Sequence, residues 1–280
     1  MKSLTTYITE KMVYTKANNK PVYNYHPKTT KELKDILKQL IEERGNDGDF
    51  NDIDVSKITD MSNLFFEINN FNGDISKWDV SNVIDMKWMF AGCESFNHPL
   101  DNWDVSNVEN MEDMFRDCAS FNQPLNDWDV SKVENMIGMF NRCTSFDQPL
   151  NDWDVSNVKD MKYMFIRCYS FNQPLNKWNV SNVTDMNNMF YECKSFNKPL
   201  NDWDVSNVTN MECMFLDCKS FNHPLDNWDV SNVKNMKAMF YGCTSFNQDI
   251  SIWDVSNVKD SQYAFNNCQI KFKYIPKFDI

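Results

Sequence analysis

An acidic column recurs in this chain every 25 residues: Asp79, Asp104, Asp129, Asp154, Asn179, Asp204, Asp229 and Asp254. Carboxylates stacked about 5 Å apart repel one another and can share a hard cation such as calcium. They can equally accept backbone N–H bonds in a turn, the common role of Asp and Asn there. Asn179 fills its place without a charge, which favours the hydrogen-bonding role. A second column, Asn72, Asn97, Asn122, Asn172, Asn197, Asn222 and Asn247, is read the same way, as a ladder serving turn backbone.

Eight of the nine cysteines form a third column: Cys93, Cys118, Cys143, Cys168, Cys193, Cys218, Cys243 and Cys268. Cys213 stands outside it. Zinc sites need close pairs such as CxxC, and the chain has none. One thiol per repeat at one position is expected to be a small buried hydrophobe. Of the histidines, His98 and His223 share a repeat position with glutamine and lysine, so they are solvated; His26 is alone. No Ser/His/Asp set, Cys/His pair or phosphate-cradling glycine loop can be assembled. The expectation is a protein with no catalytic residues, no cofactor and no metal, and not an enzyme.

The elements that place these columns follow from the tryptophans. Trp78, Trp103, Trp128, Trp153, Trp178, Trp203, Trp228 and Trp253 keep the same interval. A fixed period of this length marks a solenoid of stacked coils. In one coil Trp103 and Val105 alternate with Asn102 and Asp104, the pattern of a short strand. Val108, Met111, Met114, Phe115 and Cys118 then fall on one face of a helix, with Ser106 as its cap and Glu109 at capping-box spacing. The expected fold is an α/β solenoid of about nine coils, each with one short parallel strand and one short helix, partly 3₁₀. Strand spacing of about 4.8 Å makes the array roughly 45 Å long. Methionine, phenylalanine and tryptophan columns point inward, and asparagine is expected at most left-handed corners because glycine is scarce.

The domain plan has a flexible segment over 1–20, an N-terminal cap over 21–48, the repeat array over 49–268 and a capping strand over 269–280. The front cap carries a strand at Val22, Tyr23 and Tyr25 and a helix from Thr30 to Arg44, capped by Thr29 or Thr30 and ended by Gly45. The back cap is read as a strand in which Ile270, Phe272 and Tyr274 alternate with Lys271 and Lys273.

Net charge is −12, which disfavours nucleic acid and anionic membrane surfaces as partners. No apolar run approaches the ~20 residues of a membrane span. The opening residues lack the apolar core of a secretory signal, so a cytoplasm, bacterial or of an infected cell, is the default expectation; a virion or a cell surface are the alternatives. Residues that vary between repeats carry the remaining information. Ile84, Trp88, Tyr163, Ile166, Tyr169, Tyr191, Leu216 and Tyr241 stand at or near outward positions of the expected helix, with Cys213 beside them. Aligned by stacking, they would form an exposed apolar stripe, a candidate protein-binding surface.

The unit SFNQPLNDWDVSNVxxMxxMFxxC, seen in coil after coil, resembles the 25-residue repeat of the BspA-like leucine-rich repeat surface proteins, a repeat also known as a mycoplasma-type domain of unknown function. The resemblance covers about four-fifths of the chain. It implies a leucine-rich-repeat-like solenoid, a non-catalytic role in protein or glycan recognition, and an association with adhesion at bacterial surfaces. Members in phage and viral genomes suggest the alternative of a structural or packaged component that uses the array as a rigid spacer. The opening peptide also faintly resembles phage capsid-targeting peptides, with Ile8-Thr9-Glu10 as the place of cutting.

Overall fold

A computed structural model describes residues 23–278. The segment 1–20, Ile8-Thr9-Glu10 and Val22 lie outside the described residues. The front cap contains helix α1, Thr30–Arg44. Its N-cap is Thr29, whose hydroxyl accepts the Glu32 N–H at 3.2 Å, and Gly45 follows it with φ 78°. Leu33, Leu37 and Leu40 bury its apolar face, while Ile36 and Ile41 lie half-covered at its edge. Before it, Tyr25 makes a single parallel bridge to Ile53 in place of the expected strand.

Behind this cap, successive 25-residue coils lie on one another in register. Isolated parallel bridges join Asp60 to Asp85, Asp85 to Asn110, and so on to Asp260. Like side chains meet like. Phe115 stacks on Phe90 and Phe140 at 5.5 and 5.8 Å, and Trp153 on Trp128 and Trp178 at 6.5 Å with nearly parallel planes. Phe, Trp, Met, Val and Cys columns together form one continuous buried core from Leu33 to Val255. Offset parallel stacking is the favourable arrangement for aromatic rings.

The coil itself differs from the expected strand-plus-helix. Among the described residues α1 is the one α-helix, and a 3₁₀ turn at Phe272–Tyr274 is the only other helical element. The stretch Met111–Cys118 is a run of turns. Met114, Arg116 and Cys118 donate three residues back, whereas Met111, Asp113, Phe115 and Asp117 donate to the next coil. An α-helix needs every N–H to reach four residues back. Left-handed backbone at Asp113 (φ 50°) and Asp117 (φ 59°) also breaks the helical path. Three-residue turns bury the same i, i+3, i+4 set as a helix, so the apolar spacing alone does not separate the two.

The expected strand is replaced as well. Trp103 and Val105 are buried and Asp104 exposed, but Trp103 N–H returns to the Leu100 carbonyl. Side chains link the coils there: Trp128 Nε1 donates to the Leu100 carbonyl at 3.0 Å, and Asn107 Nδ2 to the Ser81 carbonyl at 2.8 Å. Parallel pairing instead falls at Asn110 and its equivalents. Ser106 is not a helix cap; it closes a turn with Asp104. The back cap is not a strand either. Lys271 N–H takes the Asn247 amide oxygen, Tyr274 accepts the Ile250 N–H, and Phe272 is left 92 % exposed. The left-handed corners carry mostly other residues; Asn63, Asn188 and Asn267 are the asparagines among them.

Candidate recognition surface

The polar columns work on the backbone. Asp104, Asp129, Asp154, Asn179, Asp204, Asp229 and Asp254 each accept the N–H of the serine two residues on, at 3.0–3.2 Å. The Ser106 hydroxyl, then its N–H, holds the Asp104 carboxyl below its ordinary range, and Asp129, Asp229 and Asp254 are lowered in the same way. The asparagine column is a ladder: Asn72 Oδ1 accepts Asn97 N–H, Asn97 Oδ1 accepts Asn122 N–H, and Asp147 continues it. Among the described residues no three His, Cys, Asp or Glu side chains stand close enough to hold a metal ion.

All nine cysteines are free. Cys118 Sγ lies 3.1 Å from the Phe90 carbonyl, and the same contact recurs up the column. Burial pushes the Cys93 thiol up to about 12 and the half-buried Cys213 thiol up to about 11. Nucleophilic cysteines need the opposite shift, towards thiolate.

What varies from coil to coil is the outer side of the turn run. The structure brings four of the eight candidates together: Ile166, Tyr191, Leu216 and Tyr241 occupy one position in four successive coils and are all half-buried. Tyr163, 38 % exposed, lies three residues before Ile166, whose N–H it accepts. Cys213 holds the same relation to Leu216. This row is flanked by charge. Arg167 Nη2 pairs with Glu192 at 3.2 Å, and its guanidinium stands 5.9 Å from the centre of the Tyr191 ring. Glu192 raises the Arg167 pKa, and burial raises that of the Tyr191 phenol. The Tyr241 hydroxyl accepts from Asn267 Nδ2 at 3.1 Å.

The other candidates do not join this row. Ile84, 45 % exposed, sits in a separate shallow groove with Lys57, Thr59, Asn107 and Lys132. Trp88 packs on Phe66 at 5.4 Å, far up the stack. Tyr169 lies beyond Arg167, covered by Lys194 Nζ at 4.2 Å from its ring centre, a cation–π contact. The single apolar stripe expected from a helix wheel is therefore split: Ile84 and Tyr169 lie at other turns of the coil, and Trp88, at the position of Tyr163, lies three coils before it. Sequence reading missed Phe66 and Ala91, which occupy the Ile166 row in the first two coils. The signal was present: both lie whole multiples of 25 residues from Ile166.

The chain belongs to the family described as Mycoplasma protein of unknown function, DUF285, whose model matches three overlapping stretches, 31–141, 113–197 and 175–278. The repeated match agrees with the repeat read from the sequence. That description carries the mycoplasma-type repeat and not the leucine-rich-repeat surface-protein name. No curated protein matches the chain. No helix among the described residues is long and apolar enough to cross a membrane.

Proposed function

We propose that this chain is a non-catalytic recognition protein whose array, a leucine-rich-repeat-like solenoid built from turns, binds a protein partner along the row Tyr163, Ile166, Tyr191, Leu216 and Tyr241. One observation carries the reading: four successive coils put a large apolar side chain at the same half-open position, where Arg116 and Asn141 stand in the coils before them. Contiguous exposed apolar patches rimmed by polar groups mark interfaces, and tyrosine and arginine are enriched in them. A glycan is the second ligand class, since tyrosine faces beside Arg167 and Glu192 also suit a sugar. Adhesion at a cell surface is one setting for such binding. The alternative, a rigid spacer in a virion or other assembly, is favoured by the unbroken ring stacks that run through the core.

The test is a quadruple variant, Tyr163→Ser, Ile166→Ser, Tyr191→Ser and Leu216→Ser. Three of the four side chains are half-buried, and truncating such a side chain costs about 1 kcal/mol, so the variant is expected to lose no more than about 4 kcal/mol in total. It should lose capture of partners from cell extract and binding on glycan arrays that the wild type shows. A collapse of stability would make these residues core, and undiminished capture would move the binding face elsewhere.

A further inference from the structure

The apolar row has polar ends and unlike margins. Ile166, Tyr191, Leu216 and Tyr241 hold one position in four coils, and that position is Asn141 in the coil before and Asn266 in the coil after. Coils pile at about 4.8 Å, so the row runs about 14 Å from Ile166 to Tyr241. A ligand that sets one apolar side chain on each step needs a similar repeat. Successive turns of an α-helix rise about 5.4 Å, or about 16 Å over three turns. Same-face residues of an extended strand stand about 6.8 Å apart, or about 20 Å over three steps, and fall out of step with the row.

The margins differ in charge. On the Tyr163 side each cation has a carboxylate: Lys162 Nζ lies 3.0 Å from Asp160, and Lys237 Nζ lies 3.9 Å from Glu212. On the other side Arg142 pairs with Asp117 at 3.3 Å and Arg167 with Glu192 at 3.2 Å, while the Asp217 carboxylate is tucked against Gly242. Lys194 and Lys219 remain. They stand three residues past Tyr191 and Leu216, the middle of the row, and both are exposed. Among the described residues neither ammonium has a carboxylate within 4 Å. Lys194 leans over the Tyr169 ring at 4.2 Å, which keeps its charge on this margin. The excess negative charge of the chain gathers elsewhere, at the tryptophan turn, where Asp127, Asp152 and Asp202 adjoin the Asp column.

On the reading of this row as the binding face, we infer that the protein partner presents an amphipathic α-helix with an acidic flank, laid along the stack. Its apolar stripe sets one side chain per turn on Ile166, Tyr191, Leu216 and Tyr241, which takes about three to four turns. Its carboxylates run along one flank only, against Lys194 and Lys219. Acidic residues at i and i+4 of a helix stand about 5–6 Å apart, close to the step between lysines one coil apart. The paired charges of the opposite margin call for no charge on the other flank.

Selection against the full chain from a displayed library of helix-constrained peptides tests this, with the apolar stripe fixed as leucine and both flanks randomised among Glu, Ser and Lys. Glutamate should be enriched on one flank of the binders. The best binder should hold the double variant Lys194→Glu, Lys219→Glu about tenfold more weakly than the wild type, measured by fluorescence anisotropy. The same peptide with lysine in place of its flank glutamates should prefer the double variant, a reversal that a damaged fold would not give. Binders without flank bias, or an affinity that the double variant leaves unchanged, overturn the inference. If such binders are still lost on the quadruple serine variant, the row stands as the binding face and the acidic helix alone falls; if they are kept, the row falls with it. A chain that enriches no peptide overturns the inference too, and acidic glycans retained through Lys194 and Lys219 would then assign the row to a sugar.

Discussion

The middle coils and the last coil share a sequence plan and differ in neighbours. Phe165 is fully buried between Phe140 and Phe190, both 5.7 Å away and nearly parallel. Phe265 has Phe240 on one side at 5.8 Å and only the tilted Phe278 on the other, and it remains half-buried. The two methionines that fill each middle coil become Ser261 and Ala264 in the last. The difference shows where the stability of this array resides. A coil has no helix or strand of its own to fall back on, so its turns hold only when a coil on each side completes their hydrogen bonds and covers their rings.

Phenylalanine truncation gives the largest expected contrast. Phe165→Ala should cost about 3–5 kcal/mol in chemical denaturation, because it opens a cavity inside a close-packed column. Phe265→Ala should cost about 1–2 kcal/mol, since less area is buried and the site can collapse against the cap. Equal losses would mean that the last coil is as well supported as the middle and would break the comparison.

This contrast rests on the part of the fold that the sequence states openly. A period held without a slip from Trp78 to Trp253 dictates stacking and places the Met, Phe, Trp and Cys columns inward. Helix α1 was equally plain, from Thr29, its leucine stripe and Gly45. The local path of the coil was not, because turns of three residues and an α-helix bury the same positions. What separates them is left-handed backbone at two places per coil, and there the chain uses Trp88, Tyr163 and Cys213 as readily as Gly138. Tertiary bonds impose those angles, so residue type does not report them. The candidate surface was half legible for the same reason. Residues sharing a position in successive coils, Ile166 to Tyr241, stand together; Ile84 lies at another position of the coil, and Trp88, at the position of Tyr163, lies three coils before it.

A second contrast concerns the indole N–H. Trp153 Nε1 donates to the Leu125 carbonyl at 2.8 Å and its ring is stacked on both sides. Trp253 makes the equivalent bond to Leu225 at 2.9 Å and is stacked on Trp228 alone. Phenylalanine keeps an aromatic ring but removes one of two donors on the buried carbonyl, leaving it the backbone N–H of the tryptophan one coil before. Trp153→Phe should therefore cost about 2 kcal/mol and Trp253→Phe about 1 kcal/mol, measured by the same unfolding curves. If the two variants unfold alike, the indole bond outweighs the stacking, and the comparison between coils rests on the phenylalanines alone.

The smallest effect separates the regions by charge. Asp113 is tucked against the next coil, with its carboxylate in the space a Cβ on Gly138 would fill. Burial raises its pKa to about 6, against the opposing pull of Arg116 and Lys87. Its folded-state pKa thus exceeds the ordinary 3.8, so the native chain binds the extra proton between about pH 6 and pH 4. Stability from this group rises as pH falls through that window. Below it, Asp52, Asp54 and Asp104, whose pKa values are lowered, begin to lose their stabilising ionised forms. Asp113→Asn keeps the shape and suits the left-handed backbone, so its melting temperature should change less between pH 7 and pH 5 than that of the wild type. In the last coil the equivalent residue is Tyr263, with no following coil above it among the described residues. A carboxylate placed there by Tyr263→Asp should titrate as a solvated group and leave that slope unchanged. A slope altered as much by Tyr263→Asp as by Asp113→Asn would show that something covers the last coil after all.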